Sequence, residues 1–201
     1  NPLEKDYKAF KTSLLTQFKS EINGYSSKLG VDQVKLLELE ESLEGLKSNL
    51  DTKDVRVSDL ETESAEIQPQ IDTLTSDLEY LKTLISSLED RSAAAPNDAS
   101  LKALLAKRKA TQQELTASKS NLENRLATSL PTDLTAAKSA ALVAKTSFDE
   151  ARSKIAELIK NVSSSLKERD LVESEEKSFR DTMSKLEDSI PYEIMADDTA
   201  F

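Results

Sequence analysis

The sequence contains no cysteine, no histidine and no tryptophan, and only three glycines and five prolines in 201 residues. Each absence removes a class of chemistry. Without cysteine there is no disulfide framework, and without cysteine or histidine there is no Cys/His zinc site, no His- or Cys-ligated haem and no Cys/His nucleophile dyad within the chain. Three glycines are too few for the phosphate-cradling loops of Rossmann or P-loop proteins, or for the turns of a β-sandwich. Long apolar runs are also missing. A membrane span needs roughly 18–20 consecutive apolar residues, whereas the longest small-apolar stretch is residues 140–144. No signal-peptide pattern opens the chain. The first residue is Asn1 rather than Met, which reads as a fragment boundary or, alternatively, as a processing site in a precursor. Localisation stays open between the cytoplasm and, for a processed product, a secretory organelle.

What the chain has is charge and leucine at regular intervals. Charged residues make up 32% and the formal net charge is −10. Turn signals are sparse: Gly24 and Gly30, the run 91–100 with Pro96, Asn97 and Asp98, the tetrapeptide Leu130-Pro131-Thr132-Asp133, and Ile190-Pro191. Asn97, Asp98 and Thr132 have the side chains of helix N-caps. These breaks divide the chain into four helical segments of about 3–29, 32–91, 99–129 and 133–190, one elongated domain over 1–190, and a tail over 191–201.

Periodicity carries the fold assignment. Alternating steps of three and four through the second segment give Leu36, Leu39, Leu43, Leu46, Leu50, Lys53, Val57, Leu60, Ser64, Ile67, Ile71, Leu74, Leu78, Leu81, Ile85 and Leu88, of which fourteen of sixteen are apolar. The last segment gives Leu134, Ala137, Ala141, Ala144, Phe148, Ala151, Ile155, Leu158, Val162, Ser165, Arg169, Val172, Glu176, Phe179, Met183, Leu186 and Ile190, with fourteen of seventeen apolar. A seam in phase over this length predicts an all-α, elongated antiparallel coiled coil or a long three- to four-helix bundle rod. Pro69 falls on the outermost position of its heptad, where it spares the seam and is expected to kink the helix. The alternative is a break, with Pro69 in the first turn of a new helix, and the kept frame favours the kink. The first segment carries Leu3, Tyr7, Phe10, Leu14, Phe18, Ile22, Tyr25 and Leu29, with a stutter where fours follow one another. The third is weaker, because Arg108 and Gln112 interrupt its leucines, and it reads as a subsidiary helix.

Charge suggests the pairing. Segment 32–91 holds 6 basic and 16 acidic residues, whereas 99–129 holds 6 basic and 2 acidic, and 3–29 holds 5 basic and 3 acidic. Basic segments one and three therefore suit antiparallel packing on acidic segment two. Two topologies satisfy the pattern. In one, 91–99 is the only reversal and two long arms form a hairpin. In the other, the breaks near Gly30 and Pro131 reverse the chain as well, and the fourth helix overhangs with a seam that needs another molecule. The glycines and Pro131 favour the second.

The functional expectation is a non-enzymatic structural protein, a coiled-coil rod that self-assembles or co-assembles into a filament, lattice or scaffold through these seams, with homo- or hetero-oligomeric partners and neither nucleic acid nor a transmembrane segment. Two alternatives are an acidic matrix protein of a secretory organelle condensed by Ca²⁺, and a monomeric or dimeric cytoskeletal or trafficking adaptor. No catalytic, cofactor or metal residue is assigned. The acidic clusters Glu38/Glu40/Glu41/Glu44 and Glu173/Glu175/Glu176, with Asp197 and Asp198, read as solvated faces with weak Ca²⁺ binding as the alternative. The triplet Lys107-Arg108-Lys109 reads as a partner for the acidic second segment. Lys53, Arg169 and Glu176 are the register candidates, since polar residues in a seam fix alignment. The tail, with Tyr192, Ile194, Met195 and Phe201, is a candidate docking segment.

Overall fold

The computed structural model describes residues 2–189. The described chain is all-α: α1 spans Pro2–Ala94, α2 spans Ala99–Asn124, and a π-helical turn over Arg125–Ser129 leads into α3, Leu130–Ser189. Two compact units are formed. Of the described residues, unit 1 combines 2–45 with 149–189, and unit 2 is the continuous stretch 46–148. Within each, α1 packs antiparallel to the returning arm. In unit 1 Tyr7 meets Glu187 and Phe18 meets Phe179. In unit 2 Glu89 meets Lys109 and Glu61 meets Lys138.

The reversal between α1 and α2 is made where the cap residues stand. The Asp98 carboxylate accepts the Leu101 amide at 3.0 Å, satisfying one of the free donors of a helix start. The Asp98 amide in turn donates to the Ala95 carbonyl at 3.1 Å. Leu101, the first seam residue of α2, is buried immediately behind this cap.

The break expected at Gly24–Gly30 is not a reversal. Helix α1 runs through it, and no glycine has a positive φ. The reason lies in the seam, since Phe18, Ile22, Tyr25, Leu29, Asp32 and Leu36 continue the three–four alternation toward the partner helix, buried or half-buried. A mid-helix glycine costs about 0.5–1 kcal/mol relative to alanine. Burying one leucine, as at Leu29, returns about 1.5–3 kcal/mol, so helix continuation wins. An added Cβ at Gly24, Gly30 or Gly45 would meet nothing within 4 Å. Gly30→Ala is therefore expected to raise stability by about 0.5–1 kcal/mol, measured by urea unfolding followed by circular dichroism. A turn at this position would give the opposite sign.

The second expected break, at Leu130–Asp133, is also helix. Thr132 does not cap; its hydroxyl donates back to the Thr128 carbonyl at 3.1 Å. Pro131 brings no amide and its ring crowds the carbonyl four residues earlier. The preceding turn widens: the Leu130 amide bonds the Arg125 carbonyl, five residues back. The extra residue has a second cause in the seam. The half-buried and buried positions run Leu115, Lys119, Leu122, Leu126, Leu130, Leu134, Ala137, three consecutive steps of four where the alternation has room for one. That is one residue too many for the frame, and a π turn absorbs one residue while keeping both flanking helices in phase. Leu130 closes this turn as the first residue of α3 and is 2% exposed.

The third segment is accordingly no subsidiary helix, and α3 does not overhang. In unit 2, α2 and the start of α3 both face α1, with Leu60, Ile67, Ile71 and Leu130 as the buried centre and Leu122, Leu126, Leu134 and Ala137 packed on it. In unit 1, the rest of α3 faces the first part of α1. Charge pairing of segment three with segment two holds; segment one continues into segment two instead of folding onto it. Pro69 is exposed inside α1, which continues through it, so the break at that position is not made.

Candidate functional site

The features available for function are the seams, their polar interruptions and the outer faces. Of the seam residues named from sequence, Leu60, Ile67, Ile71, Leu81, Ile85 and Leu88 are buried. Leu36, Leu39, Leu43, Leu46, Leu50, Leu74 and Leu78 on α1 are half-buried, as are Phe148, Ile155, Leu158, Val162, Phe179 and Met183 on α3. Leu186 departs from the expectation at 46% exposed. Glu187 turns inward in its place, because an α-helix drifts about 20° per heptad against a strict seven-residue repeat and the last step becomes four. Ile190 and the tail lie outside the described residues, as do Asp197 and Asp198.

Glu187 is held by two groups from α1. The Tyr7 hydroxyl donates to it at 3.1 Å, and the Lys11 ammonium forms an ion pair with it. Phe179, two turns back, stacks between Phe10 and Phe18 at centroid distances of 6.2 and 5.9 Å. Phe10 itself is 57% exposed, since Lys11 holds the seam position assigned to it. The donors from Lys11 and then Tyr7 hold the Glu187 carboxyl below its ordinary 4.5, against a smaller opposing effect of burial. Burial, and then the bond to Glu187, pushes Tyr7 up.

Unit 2 has a comparable clasp at the π turn. Arg125 forks onto Glu63 of α1, Nε to Oε1 at 2.7 Å and Nη2 to Oε2 at 2.9 Å, and its Nη1 reaches Asp133 and Ser129. The paired bonds are the strong geometry for a guanidinium and a carboxylate. They depress the Glu63 carboxyl below 4.5, with burial opposing, and raise Arg125. A carboxylate whose folded pKa is depressed stabilises the fold above its unfolded pKa, and that contribution is lost as pH falls through the folded value. Both clasps thus weaken on acidification below about 4.5. Acid unfolding monitored by circular dichroism should be shallower for Glu63→Gln/Glu187→Gln than for the wild type over that window, with the variant less stable at neutral pH.

The register candidates occupy half-buried seam positions. The ion pairs of two of them stay on their own helix: Arg169 with Asp170 at 3.6 Å and Glu173 at 3.9 Å, and Glu176 with Arg180 at 2.8 Å. Sequence reasoning missed Asp32, which is 8% exposed with Oδ2 lacking a hydrogen-bond partner. Continuing the α1 frame one step back from Leu36 would have found it. Ser165, a polar seam residue, is 3% exposed.

Of the basic triplet, Lys109 pairs with Glu89 of the acidic segment at 2.9 Å, the role expected of all three, whereas Arg108 is half-buried at the seam and Lys107 is exposed. Glu38, Glu40, Glu41 and Glu44 are exposed. Among the described residues, no group of three or more acidic side chains is placed to hold a metal ion, and no helix is long and apolar enough to cross a membrane. Two surface grooves in unit 1, one between Lys19 and Glu173 and one between Lys35 and Glu157, are open furrows between paired helices. No protein-family model, curated protein or solved structure matches the chain.

Proposed function

We propose that the protein is a non-enzymatic structural element, an antiparallel coiled-coil rod that serves as a spacer or scaffold module and meets other chains through its outer faces. The observation that carries this reading is the position of the leucine seams. In both units they are buried or half-buried against the returning arm of the same chain, so each molecule supplies its own partner helix. Stiffness then comes from seam packing, and alignment from the clasps at Glu63–Arg125 and Tyr7/Lys11–Glu187. This reading places contact with other chains on the outer faces instead of the leucine seams.

A second reading, the monomeric adaptor, is favoured by the same closure, since a chain with covered seams has no need of a copy of itself. Small-angle X-ray scattering tests the common part. A rod reading requires a distance distribution with a single short cross-section and a long tail; a compact symmetric distribution contradicts it.

A further inference from the structure

The end of unit 1 where α1 begins carries an apolar edge. Phe10 meets Phe179 edge-on, with ring centroids 6.2 Å apart, yet Phe10 is 57% exposed. The two helices run antiparallel, so one heptad back from Phe10 and one heptad on from Phe179 lead to the same level of the pair. The residues found there are Leu3 and Leu186. A heptad brings an α-helix to within about 20° of whole turns. Leu3 and Leu186 therefore stand on the edge that Phe10 and Phe179 share, about 10 Å nearer the end. Leu3 is 77% exposed and Leu186 is 46% exposed. Three large apolar side chains gathered on one edge differ from apolar residues scattered singly over a surface.

The chain itself supplies an occupant. The described residues end at Ser189, less than one helical turn beyond Leu186, and Ile190, Pro191, Tyr192, Glu193 and Ile194 come next. Proline disfavours helix in the residue before it and cannot continue one, so the sequence predicts a departure from the α3 axis beside this edge. Ile190, Tyr192 and Ile194 alternate. In an extended segment they share one face and span about 13 Å, enough to cover the roughly 10 Å between the levels of Leu3 and Phe10. A segment tethered beside a patch meets it at an effective concentration on the order of millimolar, which a free partner has to match. We propose that residues 190–201 fold back along this edge, with Ile190, Tyr192 and Ile194 covering Leu3, Phe10 and Leu186 of the same chain. The contact goes beyond the structural-module reading and does not rest on it. It takes this edge out of the surface that other chains can use.

Tryptophan fluorescence of the full chain is the test. The sequence has no tryptophan, so Ile194→Trp introduces a single fluorophore. The expected result is a blue-shifted emission shielded from acrylamide at every protein concentration. Adding Leu3→Asp/Leu186→Asp should abolish the shift, with circular dichroism as the folding control. Adding Ile190→Ser/Tyr192→Ser should abolish it too, and this variant changes none of the described residues, so it reads the contact even where the first variant unfolds. Emission like that of tryptophan in water in the Ile194→Trp chain overturns the proposal. So does a shift that either added variant retains while folded. A shift that appears only as concentration rises would place the segment on a second copy and overturn the contact within one chain.

Discussion

Deleting Ser153 should cost unit 1 most of its packing, while deleting Ala127 together with Pro131→Ala should leave the protein at least as stable as it is now. Ser153 is exposed in the middle of α3. Its removal rotates everything after it by about 100°, carrying Ile155, Leu158, Val162, Val172 and Phe179 off the face that meets α1. Each apolar side chain turned out to water forfeits about 1.5–3 kcal/mol, and the sum exceeds what a domain of this size holds in reserve. Ala127 lies in the π turn, where the seam carries one residue too many. Removing it restores the regular alternation from Leu126 to Leu134, so both flanking stretches keep their faces. Pro131→Ala accompanies the deletion because a proline in a regular α-helix interior costs about 3 kcal/mol, a cost the widened turn relieves. Urea unfolding of the three proteins is the check. If the two deletions were equally damaging, the π turn would have no special relation to the seam.

The second large effect is expected at Leu60. Its side chain is 0% exposed, and it centres the cluster with Ile67, Ile71 and Leu130. Leu60→Ala should lose about 2–5 kcal/mol, the sum of lost transfer energy and the cavity left behind. Val55, five residues earlier and 58% exposed, is the control: Val55→Ala should stay within about 0.5 kcal/mol. A flat response at Leu60 would mean that the seam of unit 2 is not formed as described.

Much of the fold was legible because seam periodicity is a long-range signal. From Leu36 to Leu88 every expected apolar seam position is buried or half-buried, and the Asp98 cap lies where its side-chain chemistry pointed. The breaks were misleading for a physical reason. Glycine and proline are local signals of about 1–3 kcal/mol, and a continuous seam outweighs them. Extending the α1 frame backward, from Leu36 to Asp32, Leu29, Tyr25 and Ile22, shows that it crosses Gly30 without a slip. The frame of the third segment looked weak because Arg108 and Gln112 interrupt its leucines, yet both hold half-buried seam positions, as long polar side chains do when their aliphatic stems pack. Asp32, Glu187 and Lys11 escaped notice because an apolar filter discards them. The Arg125 clasp depends on the π turn, which only the tally of three consecutive steps of four would have announced.

Closure of the seams within one chain is the central claim, and a spin-label distance tests it most directly. The chain has no cysteine, so Glu38→Cys/Glu157→Cys places two labels without background. Both residues line one groove between α1 and α3. Double electron–electron resonance on labelled protein diluted into an excess of unlabelled protein reads distances within single molecules. The account predicts a short separation of about 20 Å, set by an interhelical spacing of about 8–10 Å plus the label arms. A distribution centred far beyond that, or a short distance that vanishes on dilution with unlabelled chains, would show that the seam of unit 1 is filled by another molecule and would contradict the hairpin.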